Sequence, residues 1–281
     1  MTSRLALLLC LLLPLAACKP DTAPAAVETS ATPAAAPVAQ QASTEDPAAQ
    51  AAAEAAAQAA AAAAAQSPPP VAGTDYIEIP GGEPFATTDG RIEVAEIFGY
   101  TCGHCAAVQP TVRALKAKLP PDVNLVYIPA AFGGSWDTYA KAFYAAEAMG
   151  LLDKTHDAMF RAIHIDRKLK GMSGEDTPEQ IAAFYTAYGA DPGQFTSSMQ
   201  SFAVATKVNR AKQYINGAFV NGDDPSTPSF LVNGKYRIKG KSQDDMLRIL
   251  NQMIVAERAK RAAAPATDAP AAAPAAEPAQ S

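Results

Sequence analysis

Two cysteines separated by two residues, Cys102 and Cys105 in the stretch EIFGYTCGHC (96–105), carry the chemistry this sequence can be read for. Only two other cysteines exist, Cys10 and Cys18, and both lie in an N-terminal segment that reads as a targeting signal. A C-x-x-C pair cycles between dithiol and disulfide. Its apolar lead-in reads as a strand and its continuation as a helix, so the first sulfur sits at a helix N-terminus. There, free N–H groups and the positive end of the helix dipole favour a thiolate and lower the thiol pKa. Cys102 is then the exposed nucleophile and Cys105, one turn inside, the resolving partner. His104 offers a donor that can support the Cys102 thiolate, and Gly103 leaves room for a substrate backbone. A stabilised thiolate favours the dithiol and so makes the disulfide a better oxidant.

Other readings of the pair are a structural disulfide or half of a metal site. A disulfide over so short a loop adds little entropic stability. No second C-x-x-C or H-x-x-x-H completes a ligand set, so no metal site is expected. Haem attachment needs C-x-x-C-H, and Ala106 follows Cys105. His156 and His164 have no matching ligand spacing and read as ordinary helix residues.

Glu96 stands six residues before Cys102, on the side of its strand shared by Ile92, Val94 and Phe98. Alternation therefore sets a carboxyl among buried neighbours. Burial raises a carboxyl pKa and suits it to relay a proton for Cys105; the other reading is a strand-end glutamate that reaches water.

The surrounding elements follow from pattern. YIEI (76–79) and RIEVAEIF (91–98) read as strands, separated by turns at Gly81-Gly82 and Thr87–Gly90. A helix runs from the CGHC segment to about Lys118, halted by Pro120-Pro121 and bent by Pro110. VNLVYIP (123–129) is a third strand, and strand–helix–strand order implies a parallel pair. Then Tyr139, Phe143, Ala146 and Met149, and Leu152, Met159, Phe160 and Ile163, recur at helical spacing. Thr177-Pro178-Glu179-Gln180 is a capping box, and Asp191-Pro192 repeats its logic ahead of a helix carrying Phe195, Met199, Phe202 and Val208. Asn233-Gly234 between apolar runs marks a hairpin. A last helix opens at Ser242–Asp245.

The two ends differ from this body. Residues 1–18, MTSRLALLLCLLLPLAAC, form an export signal with a short apolar core. Its ending at Cys18 resembles the lipobox of bacterial lipoproteins, which implies a lipidated Cys18 and an anchor without a span; the alternative is an ordinary secretory signal with Cys18 incidental. Residues 19–73 are Ala/Pro-rich and cannot bury enough apolar surface to offset their ordering entropy, so they read as a disordered tether. Within it, Ala51–Gln66 is nearly all alanine and open to helix formation. Residues 259–281 read as a disordered tail. The formal net charge is −5 without a basic run, so no nucleic-acid partner is expected.

CGHC at a strand-to-helix junction, a helical block, Thr227-Pro228 leading into a hairpin, and a closing helix together resemble the DsbA-like thiol:disulfide oxidoreductases. These are thioredoxin folds with a helical insertion. The resemblance covers roughly residues 74–258 and implies an α/β fold, with 74–134 and 215–258 as the thioredoxin-like domain and 135–214 as the all-helical insertion. It implies an acid at Glu96. It also implies a cis-proline at Pro228 opposite the cysteines, Thr227 main-chain groups pairing with an extended substrate, and Pro228 keeping a backbone donor from the sulfurs. Departures are the Gly-His dipeptide, shared with protein disulfide isomerases where strong oxidants carry Pro-His, and the absence of acids in AAVQP (106–110).

The expectation is a monomeric, exported enzyme in the periplasm, tethered to a membrane through Cys18. It donates its Cys102–Cys105 disulfide to folding exported proteins with free thiols and is reset by a membrane, quinone-linked reoxidase of DsbB type. The redox-active disulfide is its own cofactor, and no other is expected. A reductase or isomerase running the opposite way is the alternative within catalysis. Outside it stand a lipoprotein binding Cu(I) through both thiolates and an envelope spacer built on the Ala/Pro arms.

Overall fold

The computed structural model describes residues 66–263 throughout, and ahead of them positions 51, 52, 55, 58, 59, 62 and 63, all helical. The expected signal with Cys18, residues 19–50 of the tether, and the tail from 264 onward lie outside the described residues.

Five strands form one mixed sheet: β1 (Tyr76–Glu78), β2 (Ile92–Phe98), β3 (Val123–Pro129), β4 (Ser229–Val232) and β5 (Tyr236–Ile238), in the order β1-β5-β4-β2-β3. Only β2 and β3 run parallel, as the intervening helix α1 (Gly103–Lys116) requires. The β4–β5 hairpin turns at Asn233 and Gly234, both at positive φ (51° and 65°), which is the pairing a tight two-residue turn demands. Between β3 and β4 lie α2 (Ser135–Ala148), α3 (Leu152–His164), α4 (Pro178–Tyr185), α5 (Pro192–Met199) and α6 (Phe202–Ala218), and the chain closes with α7 (Gln243–Ala263).

Local signals explain most of these bounds. Thr177 and Gln180 form the reciprocal capping box at α4, and Asp191 accepts from the Gln194 N–H at α5. The Ser242 hydroxyl accepts from Asp245 N at 3.1 Å, opening α7.

Three expectations need correction. The helix begun at Asp191 is two helices, because Ser201 caps a new one by accepting from Val204 N. Phe202 consequently sits at its first position and is 88% exposed instead of in the core. The insertion's last helix runs to Ala218, past the expected boundary at 214, and α7 runs to Ala263, past 258. Arg258 and Arg261 hold that last stretch, through Asp122 and through the carbonyls of Gly90 and Arg91. The part of the tether nearest the body is also fixed: Gln252 Nε2 donates to the Pro68 carbonyl at 2.8 Å.

β2 lies inside the sheet, between β4 and β3, and is buried along its whole length. One apolar cluster joins Ile92 and Val94 to α1 and α7; the other joins Ala95, Ile97 and Phe98 to the helical insertion. Burial on both faces makes β2 the rigid support for whatever follows it.

Candidate active site

β2 ends at Phe98, and the chain turns through Gly99 before α1 begins. A side chain at Gly99 would lie 2.1 Å from the Trp136 ring, so only glycine lets the insertion pack against this turn. Cys102 is the N-cap of α1, and its sulfur accepts from the Cys105 backbone N–H at 3.2 Å. Thr227 brings its carbonyl to 3.6 Å from the same sulfur, within reach of the thiol proton, and the Thr227–Pro228 bond is cis. Residues 125 positions apart in sequence thus meet at one atom.

The two sulfurs differ in surroundings. Cys102 is half-buried and Cys105 fully buried, both as free thiols. The Cys105 thiol, donating to the Cys102 sulfur, does most to lower the Cys102 pKa. Burial opposes it, and the Thr227 side chain and the Cys105 and His104 backbones add to it, bringing the thiol down to about 5. Cys105 moves the opposite way, pushed well up by burial, then by its bond to Cys102 and the negative charge there. One sulfur is therefore poised as a nucleophile and leaving group, while the other holds its proton.

His104 contributes to this differently from the sequence expectation. Its backbone N–H acts on Cys102. The imidazole is exposed and makes no hydrogen bond among the described residues. Gly103 is exposed with open space around it. Beside these residues runs a shallow groove of about 270 Å³ lined by His104, Pro228, Phe230, Ile238 and Met246.

Glu96 is fully buried, and neither carboxyl oxygen has a hydrogen-bond partner among the described residues. Burial, then the Cys102 charge, raises its pKa to about 8. Unlike most buried carboxyls it is held by nothing, which suits a group that exchanges a proton.

Two histidines read as ordinary helix residues are tied to the turn that carries the cysteines. His156 Nδ1 is hydrogen-bonded to the Tyr100 hydroxyl at 3.0 Å, and His164 Nε2 to the Tyr100 carbonyl at 2.7 Å. Burial lowers the His156 pKa to about 3, so it is neutral. Their spacing of eight residues on one helix face, with an aromatic residue preceding the cysteines, was the available signal. Nothing local says that the face meets Tyr100.

Residues 93–250 match the model of the DSBA-like thioredoxin domain. The thiol:disulfide interchange protein DsbA of Pseudomonas aeruginosa is 36% identical over 191 residues, 67% of this chain and 86% of that protein. The one from Azotobacter vinelandii is 36% identical over 189 residues, covering 66% of this chain and 84% of the relative. Among solved structures, the oxidoreductase DsbA from Xylella fastidiosa superposes with a TM-score of 0.63 at 39% identity, covering 68% of this chain and 98% of that one.

Proposed function

We propose, on the premise that the chain belongs to the family of DSBA-like thioredoxin domains, that it is a disulfide donor working through Cys102. Membership makes it a thiol:disulfide oxidoreductase; direction, residues and location are our reading. The observation that carries the direction is the Cys102 sulfur, which accepts from the Cys105 N–H at a helix N-terminus while its neighbour stays protonated. A stabilised Cys102 thiolate makes the dithiol the lower-energy form and the disulfide an oxidant.

A thiolate of a folding exported protein attacks Cys102 Sγ. The Cys102–Cys105 bond breaks, and the electron pair goes to Cys105. Glu96, protonated at neutral pH, gives Cys105 its proton. A second substrate thiolate then attacks the substrate sulfur of the mixed disulfide, and Cys102 leaves as the stabilised thiolate. Thr227 offers its main chain to the extended substrate, Gly103 clears its path, and the groove beside His104 and Pro228 takes a flanking apolar side chain. The dithiol is reset by a quinone-linked membrane partner of DsbB type. Export to the periplasm and anchoring through a lipidated Cys18 complete the reading, supported by the apolar N-terminal run that ends at that cysteine.

The equilibrium reduction potential against glutathione buffers tests the direction. The expected value lies well above the roughly −270 mV of thioredoxin, toward the about −120 mV known for strongly oxidising DsbA. A value at or below thioredoxin's overturns the donor reading in favour of a reductase. Replacing Cys18 with serine is expected to release the protein from membranes and abolish palmitate incorporation.

A further inference from the structure

The alanine-rich stretch ahead of the body takes no part in the chemistry above, yet the chain that joins it to β1 is secured along one side of the molecule. Gln252 Nε2 donates to the Pro68 carbonyl at 2.8 Å, Arg248 pairs with Asp75 at 3.7 Å, and Lys239 Nζ donates to the Gly73 carbonyl at 3.1 Å. Arg248 and Gln252 stand one turn apart on α7. Just before Pro68, the Gln66 N–H and the Ser67 hydroxyl both donate to the Ala63 carbonyl, each at 3.3 Å, and Pro68-Pro69-Pro70 stops the helix there.

Beside this path, α1 and α7 leave an open groove of about 690 Å³. α1 and the turn after it contribute Ala114, Leu115 and Leu119, and α7 contributes Leu247 and Val255. The three leucines are only partly buried and rest on the apolar cluster beneath the groove. Ala59 lines the same groove. It lies one turn before Ala63, about 6 Å along the helix, so the chain pinned at Pro68 reaches the groove with little slack. Ala51, Ala55, Ala59 and Ala62 share one side of that helix by their spacing. Alanine suits such a seat, because it has no side-chain rotamers to freeze on docking. A helix this short is marginal in water and gains its stability from packing.

We propose that the α1–α7 groove is the docking surface for the chain's own alanine segment, and that residues 51–63 lie in it as a strap. The groove follows α1 from Pro110 onward, whereas Cys102 caps the first turn of the same helix. The strap therefore fixes where the N-terminal arm leaves the body and keeps that arm clear of the cysteines. In effect the body begins at Ala51, well before β1. The inference is independent of the direction of disulfide transfer and of any lipid on Cys18, since it rests on the groove, on Ala59 and on the fixed chain from Pro68 to Asp75.

Amide hydrogen exchange of the full chain, read by mass spectrometry, tests the strap. Ala114 is exposed on α1, so A114E puts bulk and charge into the groove without entering the core. A59E does the same from the segment's side and leaves the body untouched; glutamate is nearly as good a helix former as alanine. Residues 51–63 are expected to exchange about tenfold more slowly in the native chain than in either variant. The amides of β2 and the reduction potential should stay native in all three. Equal exchange of the segment in the native chain and both variants, fast or slow, overturns the strap, because the segment is then either open or a helix that stands by itself. Protection that fades on dilution of the native chain overturns it as well, since a second copy then fills the groove.

Discussion

β2 carries two glutamates three residues apart, both fully buried, on opposite faces of the same strand. Glu93 points under the helical insertion, where its two carboxyl oxygens accept the backbone N–H groups of Phe85 and Ala86, each at 2.7 Å. Arg210 stands close by, donating to the Phe85 carbonyl. Glu96 points toward α1 and accepts no hydrogen bond among the described residues. Burial raises the pKa of both, but at Glu93 the two N–H bonds and Arg210 pull against it. The same residue type in the same strand is thus a fastener on one face and, in the function proposed above, a proton carrier on the other. Burial alone does not tell the roles apart, and the hydrogen-bond inventory does.

Substitutions can break this contrast. E93A strands one buried and one partly buried N–H group and should lower the urea unfolding free energy by about 3 kcal/mol, from roughly 1–3 kcal/mol per lost partner, with the exchange rate per folded molecule unchanged. E96Q should do the reverse, slowing single-turnover exchange by about 100-fold, near the lower end for a lost general acid, while raising stability at neutral pH, because a neutral amide escapes the cost of keeping a buried carboxyl protonated. A pair of results with these assignments exchanged would sink the comparison.

Titration sharpens it further. Glu96, with its pKa raised to about 8, favours the folded state below the ordinary carboxyl range, and that advantage is lost as pH rises through 8. Cys102, lowered to about 5, acts oppositely: its contribution is full above the ordinary thiol range and is lost as pH falls through 5. The stability of the dithiol relative to the disulfide form should therefore climb with pH from about 5, and thiolate absorbance should show the same midpoint. E96Q should flatten the opposing slope that the dithiol form shows up to about pH 8. The smallest effect belongs to E93Q, which keeps one acceptor oxygen: about 1 kcal/mol of stability, and a rate within error of native.

What the sequence disclosed, and what it withheld, follows the range of the interactions involved. The C-x-x-C pair, the Asn233-Gly234 turn and the Thr177–Gln180 box are local chemistry, and each is found where its pattern points. The burial of Glu96 was legible from its alternation with Ile92, Val94 and Phe98. Glu93 falls on the opposite face of the strand and is buried there as well, because the insertion covers that face. The links from His156 and His164 to Tyr100 join positions 56 and 64 residues apart and have no local signature. Phe202 misled because Ser201 accepts from Val204 N and starts a new helix, which a hydrophobic count cannot register. At His104 it is the backbone N–H that acts on Cys102, and the imidazole makes no hydrogen bond among the described residues, which residue type and spacing do not reveal.

The strand order β1-β5-β4-β2-β3 has one more implication, for self-association. An open sheet edge is where a protein pairs with other extended chains. One edge here, β1, is three residues long and is followed closely by Pro80; the other, β3, is entered past Pro120-Pro121 and ends at Pro129. Short strands and prolines are the means by which sheets refuse a further strand. The margins of this sheet thus give little purchase for aggregation with the chains it meets.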